Sequence, residues 1–262
     1  MQFKSILSAA VFAMLFAGSP RAVAVTTTMT TSGDWHTAGN WDNGVPQQDD
    51  KAVIPSGKAA TITTGNAVAD NLELGGTLSI STHKLTLDGD DVSATHVIKD
   101  AGVLTLANSG AKIEFSERNH SITTDEDGGA ILGSNNGAVI DDDDDSRQLT
   151  IANGIKIHGR LVVDVELINN GTVDADNNVV GSILSFTNNA SNGSGVYKVS
   201  QPNSTLHFAV GTYTALDADF SVANGILLVD VDVATSGDLV LFSGDGALIK
   251  MASGKYFSIN QP

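Results

Sequence analysis

Carboxylates are the residues of this chain best placed to do chemistry. In Val163-Asp164-Val165-Glu166-Leu167 two acids alternate with aliphatic residues, and Asp230 and Asp232 repeat the arrangement 66 residues further on. On a β-strand, residues two apart point to one face about 7 Å from each other. Two outward carboxylates at that spacing could grip a cation or act as the acid and base of glycoside hydrolysis. Asp174 and Asp176 form a third pair of the same kind. The recurrence argues the other way: an active site is used once, whereas a solvated face recurs whenever its structural unit does.

The second acidic feature is a run of five, Asp141, Asp142, Asp143, Asp144 and Asp145. Adjacent carboxylates repel and cannot be buried unpaired, so the run reads as a projecting loop. With Asp88-Gly89-Asp90-Asp91 and Asp125-Glu126-Asp127 it supplies oxygen-rich clusters suited to calcium, a hard cation that takes six to eight oxygens. Calcium is therefore the cofactor to test, with weak surface condensation as the alternative. No EF-hand loop or Gly-Gly-x-Gly-x-Asp nonapeptide is present. Other chemistries have less support. The six histidines show no metal-ligand spacing, and the sequence lacks cysteine, a nucleophile elbow, a Walker loop and a dinucleotide fingerprint.

The elements that position these groups are short strands. Helical periodicity is nearly absent beyond the first residues, while alternation of period two is pervasive, as in Ala60-Thr61-Ile62-Thr63, Asn71-Leu72-Glu73-Leu74, Thr77-Leu78-Ser79-Ile80 and Lys84-Leu85-Thr86-Leu87. Gly, Asn and Asp bound each strand and are expected to supply positive φ angles at tight corners. Gly159, Leu161, Val163, Asp164, Val165 and Gly171 recur as Gly225, Leu227, Val229, Asp230, Val231 and Gly237. A gapless 66-residue offset accommodates three coils of roughly 22 residues, the pattern of a solenoid. The expected fold is an all-β right-handed parallel β-helix of about nine coils over residues 56–262; an antiparallel β-sandwich shows similar alternation and is the alternative.

Residues 1–24 carry the marks of a secretory signal peptide: Lys4, an apolar stretch over residues 6–17, and the small-x-small site Ala22-Val23-Ala24. Cleavage would move the formal net charge from −16 to −18 by removing Lys4 and Arg21. Such acidity repels nucleic acid and anionic lipid. No later run is apolar enough to insert in a membrane. Without disulfides, the exported domain has to be held by its core and its hydrogen-bond ladders.

Both tryptophans lie in residues 25–55, which read as an N-terminal capping segment. Trp35 and Trp41 could cover the open end of a solenoid, or their flat indoles could stack on a sugar. The pattern Trp35, Asn40-Trp41, Gly44-Val45-Pro46, Asp49, Ile54-Pro55-Ser56-Gly57, then Leu72-Glu73-Leu74 and Gly76-Thr77-Leu78, resembles the opening of exported bacterial β-helix repeat proteins of adhesin-like or autotransporter-passenger-like type. It is also similar to the eight-glycine extracellular domain. The resemblance spans residues 35–88 and departs from autotransporters in lacking a C-terminal barrel-forming region. It implies a secreted or cell-surface structural or adhesive protein, non-enzymatic, whose partners are glycans, cell-surface or matrix components, or further copies in a filament. The alternative is a carbohydrate-active β-helix protein, either a polysaccharide lyase or hydrolase or a glycan-binding module.

Overall fold

The computed structural model describes residues 24–89, 94–191, 193–241 and 246–259. The signal-peptide residues 1–23 and two of the calcium candidates, Asp90 and Asp91, lie outside them. Every pairing between named strands is parallel, and each strand pairs with the strands one coil before and after it. That ladder excludes the sandwich, whose sheets would be antiparallel. The chain is a β-solenoid with three strands per coil and nine complete coils between Lys51 and Met251.

The first face runs through Thr26–Thr28, Lys51–Ile54, Asn71–Leu74, Ala94–Ile98, His120–Thr123, Gln148–Ile151, Glu166–Asn169 and Ala190–Ser191. It continues in Tyr213–Leu216, Val233–Thr235 and Phe257–Ile259. The second face includes Ala59–Ile62, Thr77–Ile80, Gly102–Leu106 and Thr172–Ala175; the third includes Lys84–Leu87, Lys112–Phe115, Ser182–Phe186 and Ile226–Val229. Two long strands, Gly129–Asp142 and Ile155–Asp164, contribute to both of the latter faces by running round the corner between them.

Alternation explains the core. In Ile155–Asp164 every second residue is buried, which places Ile157, Leu161 and Val163 inside and Lys156, His158 and Arg160 outside. Equivalent inward positions stack into columns. One such column on the third face is Ala67, Leu85, Ile113, Ile140, Val163, Phe186, Phe208, Val229 and Met251. The successive spacings are 18, 28, 27, 23, 23, 22, 21 and 22 residues, so coil length is erratic in the front half and settles near 22 in the back half. The 66-residue match is thereby accounted for: Leu161 reaches Leu227 through Leu184 and Leu206, three coils away. In the back half this narrow core also carries aromatic stacks, with Phe186 on Phe208 at 5.1 Å and Tyr197 on Phe220 at 5.2 Å between ring centroids.

Stacking begins earlier than the sequence boundary at residue 55. Thr26–Thr28 pairs with Lys51–Ile54, and Gly33–Asp34 with Ala59–Ile62, so residues 25–55 hold an incomplete first coil as well as the cap. The covering element is the 3₁₀ turn Ala38–Asn40 with the flanking tryptophans, tied back by the antiparallel bridge from Met29 to Trp41. Trp35 is fully buried and Trp41 nearly so. The rings meet edge to face at 5.0 Å, and Trp41 Nε1 donates to the Trp35 carbonyl at 2.7 Å. Trp41→Phe keeps most of the packing and removes that bond; the expected cost is about 1 kcal/mol, measured by urea unfolding.

Candidate functional site

The paired-carboxylate expectation fails at a corner. Asp164 ends a third-face strand opposite Asp141, whereas Glu166 begins a first-face strand opposite Gln148. Val165, buried between them, is where the chain turns, so the two acids stand on different faces and form no acid/base pair. Asp164 accepts from Thr187 Oγ1 at 2.7 Å. The matching unit behaves alike: Asp230 meets His207 Nε2 at 2.8 Å, and Asp232 lies 3.9 Å from Lys255 Nζ.

Asp174 and Asp176 are brought together. Lys156 and His158 point outward from Ile155–Asp164 and meet them from the preceding coil. Lys156 Nζ lies 3.2 Å from Asp174 and 2.7 Å from Asp176, His158 Nδ1 lies 3.0 Å from Asp176, and Ser200 Oγ donates to Asp174 at 2.8 Å. Burial disfavours charge on Asp176, but hydrogen bonds from His158 and Lys156 outweigh it and hold the carboxyl at about 2. Burial likewise works against the Lys156 ammonium, yet Asp176 and Asp174 raise its pKa. Asp176 and Lys156 both stay charged at neutral pH, which makes them an ion-pair cluster and not a proton-exchange pair.

The same design recurs on other rungs. Glu73 lies between Lys51 at 2.6 Å and Lys99 at 2.7 Å, one from each neighbouring coil. Glu114 pairs with Lys84 of the preceding coil and with Lys112 of its own strand, and Lys112 reaches on to Asp141 in the next. Hydrogen bonds from Lys51 and Lys99 lower the Glu73 pKa; at Glu114 burial opposes ionisation, and the two lysines prevail. Partly exposed pairs of this kind contribute up to about 1 kcal/mol each, so they fix the register of outward side chains more than they stabilise the fold.

The acidic run emerges at the end of Gly129–Asp142, and its members part company. Asp143 and Asp144 approach Arg147 at 3.5 and 3.1 Å. Asp141, Asp142 and Asp145 converge, with one carboxylate oxygen of each lying within 4.8 Å of the others. Asp142 is 4% exposed; its Oδ2 accepts the Arg147 N–H at 2.8 Å, while its Oδ1 meets no donor. Burial, reinforced by Asp145 and Asp141, raises the Asp142 pKa. A second convergence, Asp100 with Asp125 and Asp127, is fully exposed. Asp88 belongs to neither cluster: it is buried and accepts from Ser116 Oγ at 2.7 Å and from Gln48 Nε2 at 2.5 Å.

Trp35 and Trp41 do not form a sugar platform, because neither indole presents an open face. A constellation absent from the sequence reading lies in the core instead. The Leu72 N–H donates to His96 Nδ1 at 3.2 Å; His96 Nε2 lies 2.8 Å from His120 Nδ1, and His120 Nε2 lies 2.8 Å from the Ser116 carbonyl. The first bond fixes His96 Nδ1 as an acceptor, so each Nε2 carries the hydrogen and both rings are neutral. The rings stack at 5.1 Å beside Phe115. Their separation by 24 residues, one coil in a region of irregular coil length, left no spacing signal.

Fold and side-chain ladders define the class: a parallel β-solenoid whose outer surface is knitted coil to coil. In comparisons with known proteins the chain matches no family model, and no curated protein or solved structure is similar enough to count as a match.

Proposed function

We propose that this chain is a secreted or cell-surface structural or adhesive solenoid that presents a polar repeat surface and turns over no substrate. The observation that carries the reading is how its outward charges are used. Lys51–Glu73–Lys99, Lys84–Glu114–Lys112–Asp141 and Lys156–Asp174/Asp176 each link successive coils, and none converges on a common centre. Export is supported by the charged start, apolar stretch and Ala22-Val23-Ala24 site of the leader, and by a fold that needs no cysteine. The partners that suit a broad hydrogen-bonding face are glycans and cell-surface or matrix components. End-to-end self-association is supported at the C-terminal rung, where Leu248, Met251 and Ile259 are exposed, and is opposed at the tryptophan-covered end. A net charge of −16 disfavours nucleic acid and anionic membrane. Among the described residues no helix is long and apolar enough to cross a bilayer.

The carbohydrate-active reading draws on one observation, the Lys156–His158–Asp174–Asp176 cluster. Purified protein incubated with neutral and acidic polysaccharides, with calcium and with EDTA, is expected to release no new reducing ends or unsaturated products. The same glycans immobilised on a surface are expected to retain it saturably. Turnover that disappears in Asp176→Asn or Lys156→Met would overturn the structural reading in favour of catalysis.

A further inference from the structure

Asp142 is the one member of the acidic run whose position has no structural explanation. It occupies an inward-facing place at the end of Gly129–Asp142, where alternation would put an aliphatic residue; the equivalent residue one coil earlier is Phe115. Its Oδ1 has no hydrogen-bond donor although the side chain is almost wholly buried. Buried carboxylate oxygens are ordinarily paired, because the water they give up has to be replaced. The groups facing Asp142 compound the difficulty, since Asp141 and Asp145 bring their carboxylates to it. The nearby cations are engaged elsewhere: Lys112 is shared between Asp141 and Glu114, and the Arg147 side chain reaches Asp143, Asp144 and the Glu117 carbonyl.

We infer that Asp141, Asp142 and Asp145 form a calcium-binding site, in which the ion takes the unpartnered Oδ1 of Asp142 together with carboxylate oxygens of Asp141 and Asp145. The donors are all hard oxygens, the set that calcium accepts and that softer metals do not select. The mutual separations fit one ion: oxygens each 2.3–2.6 Å from a shared calcium lie no more than about 5 Å apart, and these lie within 4.8 Å. Two or three carboxylates leave coordination positions for water, which the exposed side of Asp145 can admit. Magnesium, with shorter bonds and stricter octahedral demands, fits a partly exposed loop less well. An ion here would fasten the loop after Asp142 to the corner of the coil that carries it. The inference is independent of export, adhesion or catalysis.

The contrasting cluster is a built-in control. Asp100, Asp125 and Asp127 are as close together, but all are exposed and none carries a buried oxygen without a partner. The test is calorimetric titration of the EDTA-stripped full chain with calcium chloride, with thermal unfolding in parallel. One saturable ion per chain and a calcium-dependent rise in the unfolding midpoint are expected, with at least about tenfold weaker binding of magnesium. Asp142→Asn and Asp145→Asn are each expected to weaken calcium binding by about tenfold or more, and a variant with asparagine at 100, 125 and 127 to leave it unchanged. Asp142→Asn carries a second signature: without its buried charge the apo protein unfolds at a higher temperature, and calcium no longer shifts it. Should Asp142→Asn misfold, the exposed Asp145→Asn decides alone. Absence of saturable binding, binding indifferent to both substitutions, or binding lost only in the 100/125/127 variant would each overturn the inference.

Discussion

Replacing Gly102 by alanine is expected to lower the unfolding midpoint by about 6–12 °C, the equivalent of about 3 kcal/mol in a domain of this size. Gly102 heads a second-face strand and stands in a column with Gly76, Gly129, Ile155, Gly171, Gly195, Ala218 and Gly237, one per coil. A Cβ on Gly102 would lie 2.4 Å from the Leu74 carbonyl oxygen and 2.9 Å from that of Lys99. Both are main-chain atoms, so no side chain can swing away to relieve the overlap. The coil below would have to shift and take its ladder bonds with it. Gly76 and Gly171 are tighter still, with backbone oxygens at 2.1 and 2.3 Å. Gly39→Ala is the control, because nothing lies within 4 Å of its added methyl and its φ is not positive; its midpoint should stay within about 1 °C, as for a neutral surface change. Equal shifts in the two variants would mean that Gly102 serves for loop flexibility and not for close packing of coils.

That column corrects one part of the sequence reading and shows why another part succeeded. The glycine-then-strand unit was expected to mark positive φ at corners. Gly159 and Gly225 fit, at φ 91° and 78°. Gly76, Gly102, Gly129, Gly171, Gly195 and Gly237 have no positive φ and are small because the coil beneath passes too close for a side chain. Ile155 and Ala218 occupy the same column, so closeness varies rung by rung, and a regular glycine period never arises. Coil length, by contrast, was legible wherever three coils kept it constant, which is why residues 159 and 225 matched without a gap. The front coils of 27 and 28 residues absorb their extra length in loops, and no offset could reveal them.

The misplacement of Asp164 and Glu166 has a physical origin in the fold itself. From Leu161 to Leu167 inward and outward residues alternate without a break, although the backbone turns a corner at Val165. A solenoid has its core on one side of the chain throughout, so the corner residue points inward like its neighbours and leaves no scar in the pattern. Alternation therefore reports burial faithfully and says nothing about which face a residue occupies. Contacts between coils were similarly hidden, since Lys156 and Asp176, or Lys51 and Glu73, are neighbours only once the register is known.

Acid should weaken this fold well before its carboxylates protonate, and the His96–His120 chain sets the window. Burial, helped by the neighbouring His120, lowers the His96 pKa to about 3. Burial also lowers that of His120, and Arg147 adds to this against the Ser116 carbonyl, Asp88 and Asp143. In the unfolded chain both rings titrate near 6.5. Below that pH the unfolded state binds protons that the folded core refuses, so stability is complete above about pH 6.5 and falls as the pH drops. The slope approaches about 1.4 kcal/mol per pH unit for each histidine, and His96 alone removes about 4 kcal/mol by pH 3. Glu73, Glu114, Asp34 and Asp176, all with lowered pKa values, lose their contributions in stronger acid, while Asp142 works in the opposite sense. Between pH 6.5 and 4.5 the histidines therefore dominate. Urea unfolding of the wild type across that interval should lose at least about 2.5 kcal/mol. His96→Leu should start about 1–3 kcal/mol lower at pH 7.5, because the Leu72 N–H loses its acceptor, and then decline with a visibly shallower slope. Parallel profiles for the two proteins would show that the buried imidazole chain does not govern the acid response and that surface groups do.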